Sequence, residues 1–473
     1  MLKAGNAVVE FCLLVMSAAA GALAGLTGRA AGRLTLVRDG EPQASIVVAA
    51  EPTDNAKAAA EELRHYIEKM SGAQLQIVTD RDAQDRKFPD GWSLVLIGPS
   101  ALTDRMAGLA IPAGLTKNLR EEGFIIWCEG NQLVLAGNDE GPYKGTRYAV
   151  CELLHRLGVR WFLPGEFGEV VPRQETIEVE EMELRQRPDF PVRDFWEHAR
   201  GNMAQELRDW KIHNRMNPDS AWWTGVPVDS SVRSYMPADQ FEAHPEWFAL
   251  NEDRTRNPHM PCMTHPDMTK HFVERVKADA RAGKRASAIG ADDGAPRCYC
   301  ESCMKLTSGF DGMGSNERAP QQWASISQEW FHFINTILDE VNKEFPDQVI
   351  VTNGYANRDV PPEIKGFNKS GNLVIMFANI PACTIHAYDD PGCWQMQRQG
   401  QMLRRWCELC DKVWIYNYNY TMLVSKDTIT PMVHRIRRNI PIIKQWGAWG
   451  FLDQDEADWS MCGVPTRLVR ARL

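Results

Sequence analysis

The sequence predicts an α/β protein: a small α+β N-terminal domain, followed by a (β/α) TIM-like barrel that is incomplete at its C-terminus. Three observations carry this expectation. Short apolar runs alternate with amphipathic, helix-length segments along most of the 473 residues. A proline-bearing stretch, Arg187, Pro188 and Pro191, interrupts the alternation and reads as a linker. Beyond it seven apolar runs recur between helical segments, one short of the eight strands of a closed barrel.

At the usual ~100–200 residues per domain, the chain is too long for one ordinary domain. The expected division is residues 1–24 as a signal peptide, 30–182 as the α+β domain and 188–473 as the barrel. The signal reading rests on the basic start at Lys3, the small apolar stretch 7–22 and the Ala22-Leu23-Ala24 cleavage pattern, which implies a periplasmic or secreted protein. Glu10 inside the stretch leaves a membrane anchor as the competing reading. A formal charge of -9, with acids and bases mixed along the chain, argues against a nucleic-acid surface or a basic membrane patch. Nothing in the sequence fixes an oligomeric state.

In the first domain, residues 44–50 read as a strand and 55–71 as an amphipathic helix. Ala59, Leu63, Tyr66, Ile67 and Met70 fall at helical spacing there, with Gly72 as the stop. A second strand is expected at 92–98 and a hairpin of 124–129 with 132–137 around Gly130-Asn131. A helix at 146–157, ended by Gly158, completes the pattern. In the second domain the strand runs are 192–196, 212–216, 288–291, 349–353, 373–377, 413–416 and 448–452. The helices between them are 267–282, 321–344, 395–412 and 428–445. Residues 463–473 open what reads as a further helix, so the ring is expected to stay open after the last strand, exposing edges.

Side chains at the C-terminal ends of barrel strands face the reaction site, which makes acids there candidate acid/base groups. Asp292 and Asp293 end one run; Asp453 and then Glu456 follow another. A helix cap or an Asx-turn explains an Asp at such a place equally well. Neighbouring strand residues point to opposite faces, so one of the Asp292–Asp293 pair should face the cavity, and Asp293 is the expected one. Aromatic, amide and guanidinium groups at other run ends suit a sugar: Trp196, Asn214, Arg215, Asn353, Tyr355, Tyr416, Asn417 and Tyr418. Arg215 has the fork that would grip a uronate carboxylate, although a structural ion pair is the commoner role of such an Arg.

Twelve cysteines are many, and they cluster. Cys298, Cys300 and Cys303 form C-x-C-x-x-C, and Cys407 with Cys410 forms C-x-x-C, spacings that suit either zinc thiolates or local disulfides. With Cys262 or His265 as a fourth ligand the first group makes a closed structural zinc site, and the zinc and disulfide readings stand equal here. No cofactor is expected to take part in the chemistry.

The N-terminal half resembles the small domain that precedes the barrel in α-glucuronidases and β-hexosaminidases. The likeness lies in residues 58–67 (AAAEELRHYI), 94–98 (LVLIG), 145–150 (GTRYAV) and 157–165 (LGVRWFLPG). Residues 244–250 (HPEWFAL), Asp293-Gly294 and the 298–303 cysteine motif resemble domain of unknown function 4838, found in exported bacterial proteins regarded as glycoside hydrolases. The resemblance implies a glycoside hydrolase acting on the O-glycosyl bonds of a complex glycan, of the uronide or N-acetylhexosaminide class, and so a carbohydrate substrate. The Asp-Glu signature of the hexosaminidase catalytic strand is absent, since Gly290-Ala291-Asp292-Asp293-Gly294 stands in its place. Cleavage needs an acid for the leaving oxygen and a second group for the sugar cation, roles that fall to Asp293 or Asp292 and to Glu456 or Asp453. The competing reading is a non-catalytic glycan-binding or scaffold protein with a degenerate barrel.

Overall fold

The computed structural model describes residues 32–196, 202–219, 231–292, 295–307, 325–378, 383, 385–417 and 433–454. The expected signal peptide and the candidate residues Asp293, Tyr418 and Glu456 lie outside them. Among the described residues no helix is long and apolar enough to cross a membrane.

The N-terminal domain contains β1 (Arg33–Arg38), β2 (Ala44–Val48), α1 (Asp54–Ser71), β3 (Gln76–Thr79), β4 (Ser93–Ile97), β5 (Phe124–Glu129), β6 (Gln132–Gly137), α2 (Gly145–Arg156), β7 (Ile177–Glu180) and β8 (Met182–Gln186). A six-stranded sheet runs in the order β8-β5-β6-β4-β2-β3. Pairing is antiparallel at β8-β5-β6 and parallel from β6 onward. β1 and β7 pair in a smaller sheet. β8 extends the first domain's sheet to Gln186, past the boundary at 182 that the sequence suggests.

α1 forms where helical periodicity predicts it. The Thr53 hydroxyl oxygen accepts from the Ala56 N–H at 3.0 Å, and Gly72, at φ 82°, ends the helix by donating its N–H to the Glu68 carbonyl. Its apolar face, including Leu63, Ile67 and Met70, is buried against the sheet. Each of these side chains contributes roughly 1.5–3 kcal/mol by leaving water.

The second domain opens with β9 (Val192–Trp196) and α3 (Asn202–His213), then a hairpin of β10 (Phe248–Leu250) and β11 (Arg256–Pro261). There follow α4 (Pro266–Arg281), β12 (Ala286–Ala288), α5 (Glu301–Thr307), α6 (Ser327–Asn342), β13 (Val349–Gly354), β14 (Leu373–Ala378), α7 (Trp394–Leu409), β15 (Lys412–Asn417), α8 (Val433–Gln445) and β16 (Gly450–Gln454). Six strands make one wholly parallel sheet in the order β9-β16-β15-β14-β13-β12. Side chains divide by alternation. Val192, Ala288, Val351, Met376, Ala378, Tyr416 and Leu452 cluster on one face. Ile289, Ile350, Ile375, Phe377, Ile415 and Phe451 join Trp330, Phe331, Trp406 and Ile440 of the helices on the other.

Two expectations are corrected. The run at 212–216 is no strand: it ends α3 and the turn after it, and Leu207, Trp210, Ile212 and Met216 are buried in the core of the N-terminal domain. The opening in the ring also lies elsewhere. The last strand, β16, pairs directly with the first, β9, from Val192↔Gly450 to Trp196↔Gln454, so no place for another strand remains between them. Among the described residues the gap falls instead between β9 and β12. Both edges beside it take up neighbouring backbone: the Asn217 N–H donates to the Arg193 carbonyl at 2.7 Å, and the Val232 N–H to the Gly290 carbonyl at 2.9 Å. The edges facing the gap are partly covered by the two ends of one connection, which blunts the exposure expected of an open ring.

Candidate active site

Beyond β12 the ladder continues through the Ile289 N–H, which donates to the Val351 carbonyl at 2.8 Å, and then the chain turns at Asp292. Ile289 and Ala291 pack in the helix-facing layer, so alternation sets Asp292 on the same side as Ala288, the inner face. The expected Asp293 lies outside the described residues. Asp292 pairs through Oδ2 with the Arg233 guanidinium, while its Oδ1 is buried with no partner among the described residues.

Buried polar groups hold this turn in place. Asn353 Nδ2 and Arg358 Nη2 both donate to the Ala291 carbonyl, at 3.3 and 2.8 Å, and Arg358 Nε donates to Asn353 Oδ1 at 2.9 Å. Asn357 Nδ2 donates to the Ala295 carbonyl at 2.9 Å, and the Ser231 hydroxyl accepts from the Gly290 N–H at 2.7 Å. Arg358 is fully buried, with its guanidinium 5.5 Å from the centre of the Tyr355 ring. A guanidinium is seldom left so dry, and here it rigidifies the rim of β12 and β13.

The structure brings some of the expected residues together and separates others. Asn353 is buried beside the Asp292 turn, with Tyr355 on the same strand end. Tyr416 lies on the inner face, whereas Asn417 and Asp453, neighbours across β15 and β16, alternate toward the helix layer. Trp196 ends β9 beside Gln454. Asn214 is far from exposed; its amide donates to the carbonyls of Trp161 and Trp210 at 3.2 and 3.0 Å. Arg215 forms an ion pair with Glu152 at 2.9 Å and donates to Gln186 Oε1, so its fork is taken by the N-terminal domain rather than offered to a uronate. Both errors follow from reading 212–216 as a strand.

Several groups at the site went unread in the sequence. Asp194, on the Val192 side of β9, pairs with Lys211 of α3 at 2.7 Å, both largely buried. The Arg358–Asn353–Asn357 set had one member noticed, because Asn353 and Arg358 only meet once the turn after β13 is formed. Arg297, six residues before the cysteine motif ends, lies 3.9 Å from the fully buried Glu329 of α6.

A cleft of about 360 Å³ opens where α3 meets the N-terminal domain, lined by residues including Glu62, Tyr66, Arg147, Trp161, Glu206 and His213. Glu62 pairs with His213 and, at 3.3 Å, with Arg147. Burial pushes its carboxyl up, but His213 and Arg147 outweigh that and hold it at about 2, against an ordinary 4.5.

The cysteine motif folds back on the hairpin. Cys262, just past β11, joins Cys298, Cys300 and Cys303, with the four sulfur atoms within 4.8 Å of one another. His265 stays outside this group. Cys407 and Cys410 enter no metal-ligating group among the described residues; burial pushes the Cys407 thiol up to about 12 and Cys410 higher still. A second group, Cys383, His386 and Cys393, was not anticipated.

A family model described as Domain of unknown function (DUF4838) matches residues 163–469. The model Glycosyl hydrolase family 67 N-terminus matches residues 36–150. No curated protein matches the chain. Among solved structures, a GH138 enzyme targeting pectin rhamnogalacturonan II is similar at 10% identity and a TM-score of 0.43, over 91% of this chain and 63% of that one. A GH20 exo beta-N-acetylglucosaminidase from Vibrio harveyi follows at 11% and 0.40, over 93% and 71%. A mutant Streptomyces plicatus beta-hexosaminidase in complex with its product is similar at 12% and 0.44, over 94% and 87%. The chain thus spans less than two thirds of the first of these.

Proposed function

The chain belongs to the family Domain of unknown function (DUF4838), and from that premise we propose that it is a glycoside hydrolase acting on O-glycosyl bonds of a complex glycan, of the uronide or N-acetylhexosaminide class. The observation that carries the reading is the acid-bearing turn after β12, set at the C-terminal rim of a parallel sheet and fixed by buried Asn353 and Arg358. The match of residues 36–150 to Glycosyl hydrolase family 67 N-terminus supports the same chemistry. In this reading the Asp292–Asp293 turn supplies the acid that protonates the leaving oxygen, and Glu456 rather than Asp453 the second carboxylate, because Asp453 alternates toward the helix layer. Aromatic faces at Tyr355, Tyr416, Tyr418 and Trp196 would carry the apolar sides of the sugar. Export to the periplasm or the medium belongs to the proposal too, and fits a glycan substrate.

The test is release of nitrophenol from a panel of α- and β-linked glycosides, uronides and N-acetylhexosaminides. Wild type should turn over one class, and Asp293→Asn should lower turnover by ~100-fold or more while binding stays measurable, the scale of a lost general acid. If turnover is unchanged in Asp293→Asn and in Asp292→Asn alike, the assignment of the turn fails.

One observation favours glycan binding without cleavage: Asp292 already spends one oxygen on Arg233. Calorimetry that finds tight glycan binding, with no product after long incubation of a cooperatively folded protein, would establish that second reading.

A further inference from the structure

We infer that Cys262, Cys298, Cys300 and Cys303 form a closed tetrathiolate site for one zinc ion, which ties the loop after the Asp292 turn to the β10–β11 hairpin. The four sulfurs come from two distant segments, and Cys262, Cys298 and Cys303 are buried with Cys300 partly so. Cys262 Sγ lies 3.6 Å from Cys300 Sγ and 3.8 Å from Cys298 Sγ. A tetrahedron with Zn–S bonds of about 2.3 Å has edges of about 3.8 Å, so these separations are those of four ligands around a metal. A disulfide needs about 2.05 Å, and all four cysteines are free.

Two backbone N–H groups point at the sulfurs: Leu250 N donates to Cys298 Sγ at 3.3 Å, and Cys303 N to Cys300 Sγ at 3.5 Å. Such donors stabilise charge on metal-bound thiolates and orient them. Zinc would replace the thiol protons, which pass to the buffer. With four protein ligands no position is left for water, so the ion is structural and takes no part in bond cleavage. What it fixes is the stretch starting six residues after Asp292, from Cys298 on, where the Tyr299 N–H already donates to the Leu250 carbonyl at 2.7 Å.

Metal analysis of the purified chain should find one tightly held zinc that survives dialysis. Cobalt exchanged into the wild type should give the visible absorption of a tetrahedral four-thiolate centre. Cys298→Ser and Cys303→Ser should each lose the metal. The assignment is overturned by any of three results: no metal in chain reconstituted with zinc under reducing conditions, metal retained in both variants, or a disulfide among the four in non-reduced peptide maps. Should the serine variants fail to fold, the cobalt spectrum of the wild type decides alone. A mixed nitrogen and sulfur spectrum there would move the ion to Cys383, His386 and Cys393 and sink the proposal.

Discussion

Asn353 shows how one side chain can hold a site it need not touch. Its amide gives a hydrogen bond to the Ala291 carbonyl and takes one from Arg358, so it is a link between the acid-bearing turn and a fully buried guanidinium. Asn353→Ala leaves Arg358 Nε without that acceptor in a dry place, a loss of roughly 1–3 kcal/mol. The variant should melt earlier and turn over substrate more slowly; a thermal melt matching wild type would contradict this role. The residue was legible in the sequence only as a polar group at a strand end. Its partner was not, because Arg358 lies five residues on and meets it only through the turn after β13. Arg215 misled for the opposite reason: an Arg next to apolar text looks like a ligand-binding group until Glu152, some sixty residues earlier in the sequence, is brought against it.

Among the elements, α3 decides what the local text could not. Its C-terminal end reads as a strand because Ile212 to Met216 is too short to separate a buried helix end from a buried strand by periodicity. The helix buries Leu207 and Trp210 in the N-terminal core instead, and Trp210 Nε1 donates to the Trp161 carbonyl at 3.0 Å. Trp210→Ala should therefore cost about 3–5 kcal/mol, the usual range for emptying a buried Trp site. Denaturant unfolding followed by fluorescence and by circular dichroism should show the midpoint fall in both signals. A loss below ~1 kcal/mol would mean that α3 is not part of that core. Elsewhere the elements were read well. The 124–129 and 132–137 hairpin and β9 have the expected bounds; in the hairpin, two short apolar runs on either side of a Gly-Asn turn leave little choice. β12 begins two residues before the apolar run at 288–291 predicts, because Ala286 and Ser287 carry less apolar signal than Ile289.

At the scale of the whole molecule, Glu62 joins α1 to α2 through Arg147 and to α3 through His213, so it works across the junction of the two domains. Its folded carboxyl titrates at about 2, below its ordinary 4.5. Because the folded value is the lower one, the stabilisation is fully present above pH ~4.5 and is lost as pH falls toward ~2, in all ~3 kcal/mol. Urea unfolding at a series of pH values should show this acid limb in wild type and a flatter one in Glu62→Gln. Equal slopes between pH ~4.5 and ~2 would exclude Glu62 as the source. Neither this junction nor the place of the ring's opening could be read along the chain, since each depends on which distant segments meet. The pairing of β9 with β16 has a temporal consequence. These partners stand about 260 residues apart, whereas β13 and β14 are separated by about 20, so closing the longer loop costs ~2 kcal/mol more entropy. During synthesis β9 stays without its β16 partner until about 250 further residues have followed. The seam of the sheet is therefore its last part to form, while the N-terminal domain, already made, can fold ahead of it.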